Sequence, residues 1–382
     1  MSALSIAVFD NSSPRVFRED IGPLVSRLRL TTLIPGGCGL LTADLPAEGF
    51  VPPDYIGFGY KVEASDGQGI FWSGRMGMPE LVFGTGGLVW HIVAKGWGVA
   101  MHDRIDTNRN VQNDEVSTQV SDIISTLVPA IDTIEVTATG FTFTNTAAIN
   151  LERMNAADQI MWLAKFANTT YDPQQLTVYP NSRGDIVFKF APVSTTADII
   201  CSLSDFESGS FGGNDDGLAN RVTIQYNGGA SYATVNDVDL QAAGAVGWNL
   251  IKEFVVVLSE ISNSTDATQA ANAILTARKS LRLAANGQFV AKSASRFLDA
   301  YGNAIQPHRV RAGMLVQLRD VQPYRQSLSN LAFLNSFRIA ETDWSEDDQS
   351  LLLVPESFDA YLERSIAQVY ALLSGFHTIP GV

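Results

Sequence analysis

The chain has 382 residues, enough for two to four domains, and its 46% hydrophobic content and mean hydropathy of +0.07 exclude a disordered polymer. A formal net charge of −14, with a pI near 4.7, argues against a protein that grips nucleic acid through its phosphates. Only 17% of the residues are charged, which fits a surface largely buried against other subunits; a surface built from Ser, Thr, Asn and Gln would give the same figure.

Residues 1–10 carry neither a basic stretch nor an apolar core, so no signal peptide is expected and synthesis in a reducing cytoplasm is. Residues 1–110 read as short antiparallel strands. Positions 27–33 alternate apolar and polar residues and run into the turn Pro35-Gly-Gly37. Positions 55–63 and 69–75 flank Ser65-Asp-Gly-Gln68, a hairpin turn signal, and 88–97 form another strand after Gly84-Thr-Gly-Gly87. Short strands joined by Gly-rich turns are the pattern of a sandwich or barrel.

The composition then shifts. Residues 114–128 predict an amphipathic helix with Asp114 and Glu115 at its start, where the helix dipole favours acids. Residues 155–167 predict a second helix, and strands at 175–179 and 185–190 flank the turn 181–184. Segment 111–200 is therefore expected to be a small α+β domain. From Ser202 to Gly217 the chain is rich in Gly, Ser and Asp and predicts a loop. Strands follow at 221–226 and 254–258. A helix over 265–281 has Thr265 as its expected N-cap and Ala270, Ala273, Ile274 and Ala277 on one face. Residues 310–320 alternate after Gly313, and 337–343 and 349–354 form a hairpin around the polar turn 344–348. Residues 358–373 return to helical spacing. Segment 201–382 is thus a second β-rich unit, a small barrel with helices and inserted loops, and the fold class is mainly β with an α+β insertion.

Few catalytic motifs survive inspection. The glycine clusters at 57–59 and 84–87 precede strands, whereas a phosphate-binding glycine loop opens a helix. His91, His102, His308 and His377 lie far apart and outside any metal-ligand spacing; His91 and His102 are placed in a strand and at a strand end. Asp215-Asp216 and Glu346-Asp-Asp348 read as solvated turns, not as the paired carboxylates of a glycosidase. Cys38 and Cys201 read as separate buried thiols, and Trp72, Trp90 and Trp97 as core residues of apolar strands, although exposed tryptophans would stack on sugar. The longest candidate for a membrane segment, 255–258, is too short to span. No catalytic, cofactor-binding or metal-ligating residue is assigned, and no enzymatic activity is expected.

Four patterns, in shared order, resemble bacteriophage tail baseplate hub (tail-associated, tail-tip hub) proteins. They are Phe71-Trp-Ser-Gly-Arg-Met-Gly-Met78 with the following 89–104 strand into Asp103-Arg104, Leu218-Ala-Asn-Arg-Val-Thr-Ile-Gln-Tyr226, Gln306-Pro-His-Arg-Val-Arg-Ala-Gly-Met-Leu-Val-Gln-Leu318, and Phe337-Arg-Ile-Ala-Glu-Thr-Asp343. Met314 stands where that family pattern has an acidic residue. The resemblance implies two tail-tube-like antiparallel β-barrels, each with a packed helix and separated by the α+β domain. It also implies a homotrimer that adapts a sixfold tube to a threefold tip, with a tail tube or distal tail ring protein and tip or fibre proteins as partners. DNA would pass through its lumen without specific binding, and the chain would sit in the virion. A sixfold distal tail ring, needing one barrel, and a glycan-binding tail-tip module are the alternatives.

Overall fold

The structure, a computed structural model, describes residues 4–10, 12, 15–34, 37–48, 52–84, 87–106, 109–111, 115–128, 134–136, 149–151, 153–164, 175–183, 185–191, 196–213, 218–243, 249–258, 264–279, 283–292, 295–321 and 336–355. The helix expected over 358–373 lies outside the described residues, as do Asp215, Asp216 and His377.

Among the described residues sixteen strands share one hydrogen-bonded network. In the first half they are β1 (Ser5–Phe9), β2 (Phe17–Asp20), β3 (Ser26–Leu33), β4 (Gly37–Pro46), β5 (Lys61–Asp66), β6 (Gly69–Met76), β7 (Glu80–Gly84) and β8 (Gly87–Gly96). In the second half they are β9 (Ile199–Cys201), β10 (Phe206–Gly213), β11 (Leu283–Ala291), β12 (Phe297–Leu298), β13 (Ala304–Ile305), β14 (Leu315–Leu318), β15 (Ser336–Ser345) and β16 (Ser350–Pro355). The first-half order is β2-β1-β5-β6-β8-β4-β3, with β7 added to β8 as a hairpin. The second half continues from β3 through β15: one branch runs β14-β9-β12-β13, the other β16-β11-β10.

The expected pair of antiparallel barrels is met in part, as a large mainly antiparallel sheet. Among the described residues no closed barrel is found, and β15 pairs with β3 of the first half as well as with β14 and β16 of its own. The sheet is also not wholly antiparallel, since β9 runs parallel to β14.

One apolar core runs through both halves, from Leu41, Trp72 and Ile92 to Phe289, Val316, Ile339 and Leu353. The alternation read at 337–343 holds in β15 for Phe337 and Ile339; an irregularity between Ile339 and Glu341 then shifts the phase, and Thr342 and Trp344 turn inward. The 344–348 hairpin turn is present. At 310–320 the strand proper is only β14, preceded by the single 3-10 turn Pro307–Arg309. The strand expected at 55–63 begins at Lys61, because the chain turns through Gly59 at φ +92° before it.

Between the halves, helices Val116–Leu127 and Ala156–Ala164 match the expected positions. Glu115 caps the first, accepting the Thr118 N–H. Strands Gln175–Pro180 and Ile186–Ala191 pair antiparallel, with Ile134–Val136 parallel to the latter. The loop expected over 202–217 is largely β10. Gly209 serves packing: a Cβ there would stand 2.3 Å from the Phe289 ring. Inserted between β10 and its partner β11 is a unit with its own core, strands Arg221–Tyr226, Ser231–Asn236 and Glu253–Leu258 under helix Ser264–Arg278. That helix starts at Ser264, so Thr265 lies inside it and is not its N-cap. Its described buried face is Ala267, Ala271, Ile274 and Leu275, of which only Ile274 was anticipated.

Candidate functional site

In a chain read as a building element, the site is the joint that fixes one half on the other. It begins with the polarity of β3. Leu28, Leu30 and Thr32 alternate inward, and Thr32 puts a hydroxyl into an otherwise apolar layer. Register places Thr342 of β15 directly opposite, and the two hydroxyls share a hydrogen bond of 2.5 Å. Thr32 Oγ1 also accepts the Ala312 N–H at 2.8 Å. Tyr179, from strand Gln175–Pro180, donates its hydroxyl to the Ala312 carbonyl at 2.8 Å. Burial pushes the Tyr179 phenol above its ordinary range, which keeps it a donor. Three stretches distant in sequence therefore meet at Ala312.

A second knot lies at the end of β5. The Asp66 side chain, 2% exposed, accepts Arg309 Nε at 2.8 Å, His308 Nε2 at 2.8 Å and the Gln68 N–H at 2.7 Å. Arg309 also donates to the Gly69 carbonyl at 2.8 Å. Burial pushes the Asp66 carboxyl upward, but the hydrogen bonds from Arg309 and His308 outweigh it and hold the group below the usual carboxylate range. Burial also lowers His308, against the pull of Asp66. An ionised carboxylate only accepts, so Nε2 carries the proton of a neutral imidazole. The His308 ring is packed between Phe71 at 4.7 Å and Trp344 at 5.4 Å. On the surface of the same joint Arg29 Nε meets Asp343 at 2.6 Å, an exposed pair of small energetic weight.

The middle strand is held by backbone approach. At Gly37, φ +86°, a Cβ would lie 1.9 Å from the Val178 carbonyl oxygen. Only glycine permits both the torsion and the contact.

The singled-out residues fall as follows. His91 Nδ1 meets Asp44 at 2.8 Å, and His102 lies in a turn after the short helix Trp97–Ala100, not at a strand end. Trp72 and Trp97 are core residues and Trp90 is half-buried, so the first two offer no face to a sugar. Cys38 and Cys201 are free and buried, and burial pushes both thiols up to about 12. Among the described residues no group of three or more His, Cys, Asp or Glu is placed to hold a metal, and no helix is long and apolar enough to cross a membrane. The sequence reading missed Asp66, Tyr179 and Gly37. The one available signal was Asp66-Gly in a hairpin turn, which accounted for the aspartate locally and concealed its distant partners.

One surface stands out. Along the β7–β8 hairpin the consecutive residues Leu81, Val82 and Phe83, the last 84% exposed, face solvent, and so does Leu88 across from Phe83. Successive strand residues point to opposite faces, so neither face of this ribbon is covered.

The whole architecture has solved counterparts. The 43 kDa tail protein of prophage MuSo2 from Shewanella oneidensis matches with a TM-score of 0.58 at 12% identity, over 94% of this chain and 98% of that one. The chain has the fold of a phage tail protein. This tail-protein fold recurs in a tail protein from Neisseria meningitidis (TM-score 0.56, 13% identity, 95% and 99% covered). It recurs again in a prophage tail protein of Listeria monocytogenes (TM-score 0.51, 11% identity, 97% and 99% covered). No protein-family model matches the sequence, and no curated protein does. The tail-protein fold thus persists here at an identity too low for sequence comparison to find it.

Proposed function

We propose that this chain is a non-enzymatic structural hub of a phage tail, closing the distal end of the tail tube. The observation that carries the reading is the match of nearly the entire chain to nearly the entire length of tail proteins. Residues 1–110 and 201–382 act as two tube-like units held by the middle segment 111–200. Three copies in a ring present six such units to a sixfold tube and three equivalent faces to a tip. The β3–β15 pairing supports this use, because a continuous sheet between the units fixes their angle within each subunit.

The charge acquires a role in this reading. Three copies carry −42 formal charges, three times −14, and an acidic bore lets DNA phosphates pass without adhesion. The uncovered apolar ribbon at Leu81, Val82 and Phe83 suits a contact with the tube, a distal ring or tip proteins. Light scattering on the purified chain with its tube protein tests the stoichiometry. A particle with three copies supports the hub, whereas six copies favour a sixfold distal ring and a persistent monomer counts against both.

A further inference from the structure

The unit inserted between β10 and β11 leaves one face of its sheet open. Val222, Ile224 and Ala233 turn toward helix Ser264–Arg278 and share its buried core. By alternation and register, the other face holds Arg221, Thr223 and Gln225 on the central strand, Tyr232 to one side, and Val255 and Val257 to the other. It is open to solvent, Tyr232 being 63% exposed, Val255 55% and Val257 56%. Neither strand pair contains a register shift, so this is a regular sheet with exposed valines, a surface that folded proteins usually cover.

The same face carries a cation. Arg221 Nε donates to the Asn236 amide oxygen at 2.7 Å, and the guanidinium makes no ion pair with a described residue. Glu253, opposite Arg221 in register, turns instead to Thr223, whose hydroxyl it accepts at 2.7 Å.

The β7–β8 ribbon carries the counterpart. Its two faces differ: Leu81, Phe83 and Leu88 share one, and Glu80, Val82 and Val89 share the other. On this second face Val82 is 41% exposed, and Glu80 is exposed and makes no ion pair with a described residue. His91, across from Glu80, is held by Asp44.

We infer that the Glu80–Val82 face of the ribbon docks on the open sheet of another copy of this chain, with Glu80 paired to Arg221. Two residues of strand, about 7 Å, separate Glu80 from Val82, and a step of the same length leads from the Arg221 row to Val255. A ribbon laid along strand Arg221–Tyr226 in the same direction therefore brings the charges and the valines into register together. Charge argues for a second copy as the occupant. Two chains of net charge −14 repel, and here one copy offers an unneutralised cation beside apolar surface while the other offers an unneutralised anion beside its own. The two surfaces are different, so the contact is heterologous: each copy gives its ribbon to one neighbour and its sheet to the other. Closure at three copies rests on the hub reading; the contact itself does not. Phe83, on the opposite face of the ribbon, stays available to the tube.

Sedimentation velocity on the full chain alone, at rising concentration, tests the contact. The wild-type chain should self-associate. Glu80→Arg and Arg221→Glu each set like charges face to face and should raise the dissociation constant roughly tenfold or more. Combining Glu80→Arg with Arg221→Glu in one chain restores an opposite pair and should recover most of the association. Phe83→Ser should associate as the wild type does, and all four variants should melt near the wild-type temperature, since each side chain reaches the surface. A wild-type chain that stays monomeric at every concentration, association indifferent to both reversals, or a double variant no better than the single ones overturns the inference. Three copies that persist through both reversals sink this contact and leave the hub reading standing. Particles of another size that dissociate on reversal keep the contact and count against a threefold ring.

Discussion

Replacing Asp66 by Ala removes the acceptor on which the joint between the halves converges. The side chain is 2% exposed and receives Arg309, His308 and the Gln68 N–H, so the substitution leaves three donors without their partner. The Arg309 side chain is only 20% exposed and keeps the Gly69 carbonyl. Removing one partner of a buried pair typically costs about 3–5 kcal/mol, and the remaining carbonyl and partial exposure place this case near the lower end, about 3 kcal/mol. Urea unfolding followed by tryptophan fluorescence reads the loss as a lower midpoint at unchanged slope. Adding Arg309→Met removes the stranded charge, so the double variant should be more stable than the sum of the two single losses implies. A loss under about 1 kcal/mol for Asp66→Ala, or strict additivity in the cycle, would refute the claim that this pair holds the joint.

The same cluster sets a pH dependence. His308 and Asp66 both have folded pKa values below their ordinary ones, so the unfolded chain binds more protons and stability rises with pH. Stability should therefore fall as pH drops below about 6.5, where the unfolded imidazole protonates, and fall further below about 4, where the unfolded carboxyl does. In His308→Gln the upper step should vanish from a melting-temperature profile. Gly37→Ala should cost well over 1 kcal/mol, since strain at positive φ adds to the clash with Val178, whereas Gly87→Ala, at φ +102° with nothing within 4 Å, pays the torsional strain alone, about 1–2 kcal/mol. Thermal unfolding of the two variants separates these contributions. Tyr179→Phe should lose about 1 kcal/mol in chemical denaturation by stranding the Ala312 carbonyl, with the ring kept under Arg311. Phe83→Ser should leave the melting temperature of the isolated chain nearly unchanged and weaken its co-sedimentation with the tube protein; normal co-sedimentation would remove the ribbon from the proposed contacts.

Local elements were legible where periodicity and turn chemistry agree. The hairpin at 344–348 and the helix after Glu115 are written in neighbouring residues, and so is the alternation at the start of β15. β10 was hidden because its glycines signal turns, whereas Gly209 here admits the Phe289 ring. Strands β1, β4 and β11 were missed as well, and β4 is buried at seven of its ten positions in two runs of three and a single, which removes the alternation that marks a strand. On helix Ser264–Arg278 the expected face residue Ile274 is buried, while the side chains of Ala270, Ala273 and Ala277 lie outside the described residues.

By itself the sequence determined a mainly β chain with an α+β middle, an acidic surface and no assigned catalytic motif, because composition and short-range periodicity encode those properties. Only the tertiary structure decided which strands meet. The β3–β15 pairing, the Asp66 contacts and the Tyr179 anchor each join residues more than a hundred positions apart. Strand edges carry the same backbone donors and acceptors whatever their side chains, so local pattern leaves the partner undetermined. The choice is made by the shared core, which buries both halves together and joins their strands in one branched sheet.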